Sequence, residues 1–357
     1  FRIVVGRLVA AAGGVRVILR FDEKWTLLPI FTAGRGGGVL HMTVGATETH
    51  LLGRFLETGL YYQYFNGSHS GAVWLQDPRL LHRRLLGRLD VGVSNRVRTL
   101  YDHGGQAEGA WSLRRMFLSG DLQADIRPRW LRVGAGLIVG LDHYDEDTLT
   151  APQRQLNMDK QLVLPTDRRD VLARFFVRLG RVDTTDYFQH GKALTLTTDL
   201  APAWLGSEEP FARATLAGFG YLRLGQTGNL GARVMLGTIS DAVAERQFYV
   251  GGLGWRRGFA EGRYRGTHVW NANLEARISS FHHRIAALQH VFFCDFGAVA
   301  DGWGELIDNS GRPPLAVGTG IRLVLPLVAR FLARLDVALA FGERREWRVS
   351  FGSQQFF

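Results

Sequence analysis

Long runs of the chain alternate between apolar residues and polar or small ones, and this period of two limits the fold more than any other feature. One run places arginine, glycine and aspartate between the apolar positions Leu131, Val133, Ala135, Leu137, Val139 and Leu141. A second run alternates in the same way around Arg334 and Asp336. Successive side chains of a strand point to opposite faces, so each run predicts a strand with one apolar and one polar face.

The predicted strands are long enough to cross a bilayer. Many extend over roughly 10–14 residues, whereas strands of globular proteins average about 5–6. Their polar faces carry many arginines, which suits a water-filled lumen. No stretch approaches the ~18 consecutive apolar residues of a transmembrane helix, and the mean hydropathy is -0.04. We therefore predict an all-β fold and favour a transmembrane antiparallel β-barrel, with a soluble β-sandwich as the alternative.

The positive charge of the chain does not point to nucleic acid. The net charge of +10 comes almost entirely from arginine, because lysine occurs only at Lys24, Lys160 and Lys192. A basic balance raises nucleic acid as a partner, but these arginines are spread over alternating strand positions and form no patch. A polar lumen or contact with lipid phosphates accounts for them, and we expect no nucleic-acid partner.

The first residues differ from the rest. The segment 15–21 reads as a short strand after Gly13 and Gly14, and the glycines between 34 and 38 read as a flexible join. We predict that residues 1–36 are the end of a small soluble domain with its linker, and that 37–357 form the barrel. The chain begins mid-structure, so we infer that a signal peptide, with or without whole preceding domains, lies upstream.

The last residues predict a closing strand. Trp347, Val349 and Phe351 share one face, and the chain ends in the aromatic Phe357. A final strand with a terminal aromatic residue resembles the assembly signal of bacterial outer-membrane barrels. We take these four residues as the candidate signal.

Five motifs follow one another in the last third of the chain. They are Phe248-Tyr249-Val250-Gly251-Gly252, Trp255-Arg256-Arg257-Gly258-Phe259, Asn273-Leu274-Glu275-Ala276-Arg277, Phe292-Phe293-Cys294-Asp295-Phe296-Gly297 and Gly318-Thr319-Gly320-Ile321-Arg322. Their order and spacing resemble the C-terminal barrel of the Omp85 superfamily, the bacterial surface antigen domain. Its signatures are a (V/I)RG(F/Y) loop, an NLE(L)R strand and an FxDxG strand, and the specific resemblance covers about 245–357.

Two departures from that family pattern stand out. Arg256 occupies the usual place of an aliphatic residue before Arg-Gly-Phe. The N-terminal segment retains at most the last strands of one POTRA-like periplasmic domain, whereas the family has one or several. The resemblance implies about sixteen strands.

Alternation and resemblance together identify a candidate loop lock. Alternation places Glu275 and Asp295 on inward faces of neighbouring strands, and a guanidinium can bind carboxylates in a fork. The resemblance implies that the sixth extracellular loop, about 251–266, folds inward and that its Arg257 contacts Asp295 and Glu275. Gly258 and Gly297 would let the backbones approach closely. Phe259 would pack the loop tip.

Other chemistry finds little support. His282, His283 and His290 lack the carboxylate or thiol spacing of a metal site, and the acidic residues 142–147 lack the pattern of a calcium loop. The glycines at 34–38 lack the lysine of a phosphate loop, and no Gly-x-Ser-x-Gly suggests a hydrolase. We expect no metal, no cofactor and no enzymatic activity.

Three functions remain in competition. The first, which we favour, is an assembly and insertion factor of the bacterial outer membrane, acting through the inward loop and a weak seam between strands near 39–50 and 346–357. The second is a polypeptide secretion pore of the same superfamily, and the third is a passive porin. The expected partners are unfolded outer-membrane or secreted polypeptides, the bilayer, lipopolysaccharide and periplasmic accessory proteins. The N-terminal side would lie in the periplasm.

Overall fold

The structure, a computed structural model, describes residues 2–11, 13–22, 25–102, 104–128, 130–185, 187–241, 243–325 and 331–353. Within these ranges lie twenty strands and two α-helices. The strands are β1 (Arg2–Ala11), β2 (Gly14–Asp22), β3 (Leu27–Gly36), β4 (Val39–Leu51), β5 (Leu56–Phe65), β6 (Ser68–Asp77), β7 (Leu85–Tyr101), β8 (Ala107–Arg127), β9 (Leu131–Asp145), β10 (Arg168–Thr185), β11 (Phe188–Ala201), β12 (Phe211–Leu224), β13 (Gly228–Ile239), β14 (Phe248–Val250), β15 (Tyr264–Gly266), β16 (His268–His282), β17 (Ala287–Ala300), β18 (Leu315–Leu325), β19 (Phe331–Phe341) and β20 (Arg345–Ser353). The helices are α1 (Ala151–Lys160) and α2 (Trp303–Ser310).

Sixteen of these strands form one closed barrel. The barrel consists of β3 to β13 followed by β16 to β20, and each strand pairs antiparallel with its neighbours along the chain. β20 returns to β3 and closes the ring. β14 and β15 form a separate two-stranded ribbon between β13 and β16. The predicted all-β barrel of about sixteen antiparallel strands is confirmed.

The two ends of the barrel differ in their connections. At the end where β3 begins and β20 finishes, here called the terminal end, the strands are joined by connections without an α-helix or further strand of their own in the described residues. At the opposite end, here called the loop end, α1 lies in the β9–β10 connection, the β14–β15 ribbon in the β13–β16 connection, and α2 in the β17–β18 connection. Neither helix has the length and apolar character needed to cross a bilayer.

The alternation in the sequence separates the outer wall from the lumen. On β16, Leu274 is 47% exposed on the outside, whereas the next residue, Glu275, is 2% exposed inside. On β17, Phe292 faces outward and Asp295 is buried inside. The outer wall therefore presents apolar side chains and the interior holds charged ones, as a membrane barrel requires.

The barrel starts earlier than the sequence predicted. β3 begins at Leu27 and pairs with both β4 and β20, so the division into 1–36 and 37–357 is wrong for residues 27–36. Pro29 interrupts the strand pattern because it lacks an N–H. The glycines there also serve packing, because a Cβ at Gly34 would lie 2.9 Å from the carbonyl oxygen of Phe351. Only Gly37 and Gly38, with φ of +62° and +84°, form the turn.

Before the barrel, β1 and β2 pair into a hairpin that forms a sheet of its own. This hairpin lies where the end of a POTRA-like domain is predicted. A two-stranded hairpin is compatible with many domains, so that assignment stays a prediction.

Candidate functional site

The connection between β13 and β16 folds into the lumen from the loop end. We call residues 251–263 the inner loop. Arg256, Arg257 and Phe259 in it are buried, although residues in a connection of this length usually face solvent. Their partners lie on inward positions of β16 to β19, so the inner loop is packed against the inside of the wall.

Arg257 makes the main contact of the inner loop with the wall. Its Nε and Nη2 donate to the two carboxylate oxygens of Asp295, at 2.8 and 2.9 Å. Its backbone N–H donates to the same carboxylate at 3.1 Å. Its Nη1 donates to Glu275 Oε2 at 2.9 Å, and the guanidinium carbon lies 3.5 Å from the ring centroid of Phe293. We call the contacts of Arg257 with Asp295 and Glu275 the arginine lock.

The arginine lock is shielded from bulk solvent, because all three side chains have no exposed surface. Burial alone disfavours the charged guanidinium, but Asp295 and then Glu275 outweigh it and raise the pKa of Arg257. The arginine is therefore charged whenever the loop is docked. Separating such a buried pair leaves an uncompensated charge, which typically costs about 3–5 kcal/mol.

A wider charge network surrounds the lock. Arg277 Nε donates to Glu275 Oε1 at 2.7 Å, and Arg322 Nη1 donates to Asp336 Oδ1 at 2.7 Å. Arg322 also lies 3.7 Å from Glu275, which joins the two pairs. Arg322 and Asp336 are not among the site residues predicted from the sequence. Strand alternation was the signal that could have found them, since it placed Asp336 on a polar face.

The two predicted glycines allow the loop and wall to meet. Gly258 has φ of +86°, and a Cβ there would come within 3.1 Å of Ala338 and 3.2 Å of Ala340. A Cβ at Gly297 would lie 2.3 Å from the carbonyl oxygen of Trp270 and 2.9 Å from Arg256 Nη2. Gly297 thus leaves no space for a side chain, whereas at Gly258 a side chain would be strained by the backbone conformation and tightly packed.

Phe259 packs the tip of the inner loop, where it lies against Ala316 and Ala340. Its ring meets Tyr264 edge to face, with centroids 5.4 Å apart. The structure therefore brings together all six residues predicted for the loop lock: Arg257, Gly258, Phe259, Glu275, Asp295 and Gly297.

Arg256, the departure from the family pattern, is buried but poorly paired. Its Nε donates to Asn271 Oδ1 at 2.7 Å, while neither Nη1 nor Nη2 has a hydrogen-bond partner among the described residues. The Tyr264 ring centroid is 5.2 Å away. Burial is the main cause that lowers the pKa of Arg256 to about 10.

The inner loop also reaches the junction between the first and last barrel strands. The Glu261 N–H donates to the Gly37 carbonyl at 2.8 Å, and the Leu253 N–H donates to Glu261 Oε2 at 3.2 Å. A Cβ at Gly36 of β3 would lie 2.6 Å from both the Leu253 side chain and Ser350 of β20. The loop therefore contacts the end of β3 and the turn after it, beside β20.

The junction itself, here called the seam, has little backbone pairing. β20 and β3 are in register at only two positions in the described residues, Phe351 with Arg35 and Gly352 with Gly34. On its other side β20 is in register with β19 at nine positions. The half of β20 from Arg345 to Val349 has no described partner on the β3 side. The predicted seam strand near 39–50 is wrong, because β3 precedes it in the barrel.

The candidate C-terminal signal lies partly on this strand. Trp347, Val349 and Phe351 are exposed on the outer face of β20, while Phe357 lies outside the described residues. Among the described residues no group of three or more His, Cys, Asp or Glu side chains is placed to hold a metal ion.

A closed sixteen-strand barrel with an apolar outer wall and a charged, loop-filled lumen defines an integral protein of the bacterial outer membrane. The Omp85 superfamily domain matches residues 144–357, so the chain belongs to the Omp85 superfamily. That match includes the inner loop, the arginine lock and β20. No curated protein matches the chain.

Solved structures share the fold at low sequence identity. BamA from Haemophilus ducreyi lacking POTRA domains 1–3 aligns with a TM-score of 0.66 at 16% identity, over 98% of this chain and 75% of that one. CdiB from Escherichia coli aligns at 0.64 and 12%, over 97% and 67%. CdiB from Acinetobacter baumannii aligns at 0.64 and 12%, over 98% and 64%.

Proposed function

We propose that this protein helps other β-barrel polypeptides insert into the outer membrane, and that insertion takes place at the seam. The observation that carries this proposal is the unequal pairing of β20, which in the described part of the chain is in register with β19 at nine positions and with β3 at two. A closed barrel normally hides the edges of its strands. Here the half of β20 from Arg345 to Val349 keeps an edge without a described partner.

A free strand edge within a bilayer can pair with the backbone of an incoming strand. Unpaired backbone N–H and C=O groups cost several kcal/mol each in lipid, so an incoming strand gains by pairing with such an edge. Addition of a strand to a sheet edge is a common mode of peptide recognition. The substrate would therefore be an unfolded outer-membrane polypeptide, recognised through its backbone and its alternating apolar residues.

The inner loop would control how far the seam opens. The arginine lock fixes one side of this loop to β16 and β17, and Gly37 and Gly36 contact its other side at the seam. A docked loop thus connects the weakly paired seam to the wall strands β16 and β17. Release of Arg257 from Asp295 and Glu275 would remove that connection. This role needs no covalent chemistry, so we propose no enzymatic activity.

The proposed setting follows from this role. The terminal end, which carries the β1–β2 hairpin, would face the periplasm and receive the polypeptide there, with upstream POTRA-like domains and periplasmic accessory proteins delivering it. Outward apolar residues on both sides of the seam would contact the bilayer, and lipid thinning at a short junction would lower the insertion barrier. Lipopolysaccharide would lie against the loop end.

A disulfide across the seam tests the proposal. Cys294 is the only cysteine, so the background is Cys294→Ser, and the bridging pair is Arg35→Cys with Phe351→Cys, which are register partners across the seam. The reconstituted protein should speed the folding of an unfolded outer-membrane barrel in liposomes when reduced. Oxidation should abolish the acceleration, because the seam can no longer open. The folded substrate is measured by its heat-modifiable, protease-resistant band.

The matched control places a disulfide at a fully paired junction. Thr319 and Val337 are register partners on β18 and β19, and oxidising a Thr319→Cys, Val337→Cys variant should leave the acceleration unchanged. Equal acceleration by the reduced and oxidised seam variants would contradict opening of the seam. No acceleration by either form, together with passage of a secreted polypeptide into the liposome, would instead support a secretion pore.

The secretion pore is the second candidate. The observation that favours it is that CdiB structures share the fold almost as closely as BamA does. A pore of this kind requires the inner loop to leave the lumen, so Arg257→Ala should increase conductance through the reconstituted protein. An insertion factor that opens at the seam requires no such increase.

A further inference from the structure

The short helix α2 lies on the outside of the barrel. Leu306 of this helix is 7% exposed and packs against Ala298 and Ala300, with Trp270 beside them. Trp270 alternates on β16 with Asn271, which contacts the inner loop inside. Trp270 therefore faces outward, and so does the surface that α2 covers.

Four contacts hold α2 against this outer surface at the loop end. The indole N–H of Trp270 donates to Ser310 Oγ at 2.6 Å, and Asn309 Nδ2 donates to the Val299 carbonyl at 3.2 Å. The ring of Trp303 stacks on His268, with centroids 4.3 Å apart. Leu306 supplies the apolar contact. The β17–β18 connection thus folds back over the outer wall.

The outward part of α2 is apolar. Trp303, Leu306, Ile307 and Ser310 share one face at the spacing of an amphipathic helix. Leu306 and Ser310 contact the wall, whereas Trp303 is 59% and Ile307 is 71% exposed. Glu305 and Asp308 lie on the opposite face. The exposed pair continues the lipid-facing surface of β16 and β17, to which Phe292 and Leu274 belong.

We propose that α2 is an interfacial anchor, which lies flat on the outer wall at the boundary between hydrocarbon and headgroups and inserts Trp303 and Ile307 into the bilayer. Tryptophan prefers this depth because its ring is apolar and its N–H is polar. Amphipathic helices of this kind bury their apolar face about 5–10 Å into the boundary. The occupant is lipid and not a protein, because the exposed pair continues a wall that the bilayer already covers.

The charges of α2 determine what kind of lipid contact it makes. The helix contains Glu305 and Asp308 but no lysine or arginine. Binding by attraction to anionic headgroups needs basic residues, so α2 inserts by apolar burial alone. Its contact should therefore persist in zwitterionic lipid and at high salt.

Fluorescence quenching in phosphatidylcholine liposomes tests this anchor. Acyl chains carry bromine near either the headgroup or the methyl end, and the emission of Trp303 is obtained as the difference between wild type and Trp303→Phe. Quenching should be strongest for bromine near the headgroup and should not change with salt. Ile307→Asp should lower this quenching roughly twofold, since a charge withdraws the helix from the boundary.

Two controls keep the result interpretable. Val163→Asp places the same charge at a residue that is 86% exposed in the β9–β10 connection, and it should leave the quenching unchanged. Heat-modifiable mobility shows that each variant has a folded barrel. Quenching of Trp303 by acrylamide but not by brominated lipid would overturn the proposal, because α2 would then lie in water. Protection from both quenchers would overturn it too, since another protein would then cover the helix.

Discussion

The wall formed by β16 to β19 and the seam between β20 and β3 belong to one barrel, yet they are held together in different ways. β16 and β17 are in register at fourteen positions, and buried charges join them to the inner loop. Among the described residues, the seam has two register positions together with glycine contacts. Local stability follows the density of such contacts. One barrel can therefore keep a rigid wall while one junction stays able to open.

The largest expected effect comes from removing the carboxylate at the centre of the wall. Asp295→Ala should lower the stability of the docked loop by about 3–5 kcal/mol, because Arg257 keeps a buried charge without its forked partner. Urea unfolding in liposomes measures the loss. Asp125→Ala breaks a half-exposed pair with Arg132 and should cost less than about 1 kcal/mol. Equal losses in the two variants would mean that the lock adds nothing to the wall.

The next effect separates backbone strain from close packing. Gly258→Ala should cost about 1–3 kcal/mol, since the left-handed conformation disfavours a side chain and Ala338 and Ala340 lie within 3.2 Å of the new Cβ. Gly38→Ala has nearly the same φ but open space around it. Gly38→Ala should therefore lose only the part of the stability that is due to backbone strain. Urea midpoints of both variants test this, and a greater loss at Gly38 would show that packing at Gly258 is unimportant.

The sequence predicts the wall better than the seam, because the patterns that it offers are local along the chain. Alternation is local, so it placed Glu275 and Asp295 on inward faces without knowledge of the fold. The resemblance to the motifs of the family implied that Arg257 contacts them. Both predictions concern residues on two neighbouring strands, β16 and β17, or in the loop that precedes them.

The seam is harder to predict because it joins residues more than 300 positions apart. Its register depends on how the barrel closes, which no single strand encodes. Pro29 and the glycines of β3 also break the alternation, so the sequence predicts this strand as part of a small soluble domain and its linker. Likewise, alternation cannot indicate that α2 turns back onto the outer wall, or that two nitrogens of Arg256 lack a hydrogen-bond partner among the described residues.

Replacing Arg256 should change the stability of the docked loop in the opposite direction to replacing Arg257. Arg256→Leu should stabilise the docked loop by about 1 kcal/mol, because it removes buried donors that lack partners. Arg257→Leu should destabilise it by several times as much. The two variants differ by one position and have the same composition, so urea unfolding compares them directly. Destabilisation by Arg256→Leu would mean that the contact with Asn271 outweighs the unpaired nitrogens.

The smallest effect concerns Glu261, where the inner loop meets the seam, and it should depend on pH. Burial raises the pKa of Glu261 above its ordinary value of 4.5, against the opposing effect of Arg98. The docked loop therefore binds a proton more tightly than the unfolded chain does. The resulting stabilisation is fully present below pH 4.5, the ordinary pKa of the side chain. It is lost as the pH rises through the higher pKa of the folded state.

Glu261→Gln should remove this dependence, because glutamine stays neutral at every pH. The variant should be more stable than wild type at neutral pH, by less than about 1 kcal/mol, and equal to it in acid. Hydrogen exchange at the backbone of Glu261, which donates to Gly37, measures the contact directly. If wild type instead loses protection in acid while the variant does not, the carboxylate is held charged by Arg98 and Arg96, and the loop grips the seam through those ion pairs and not through burial.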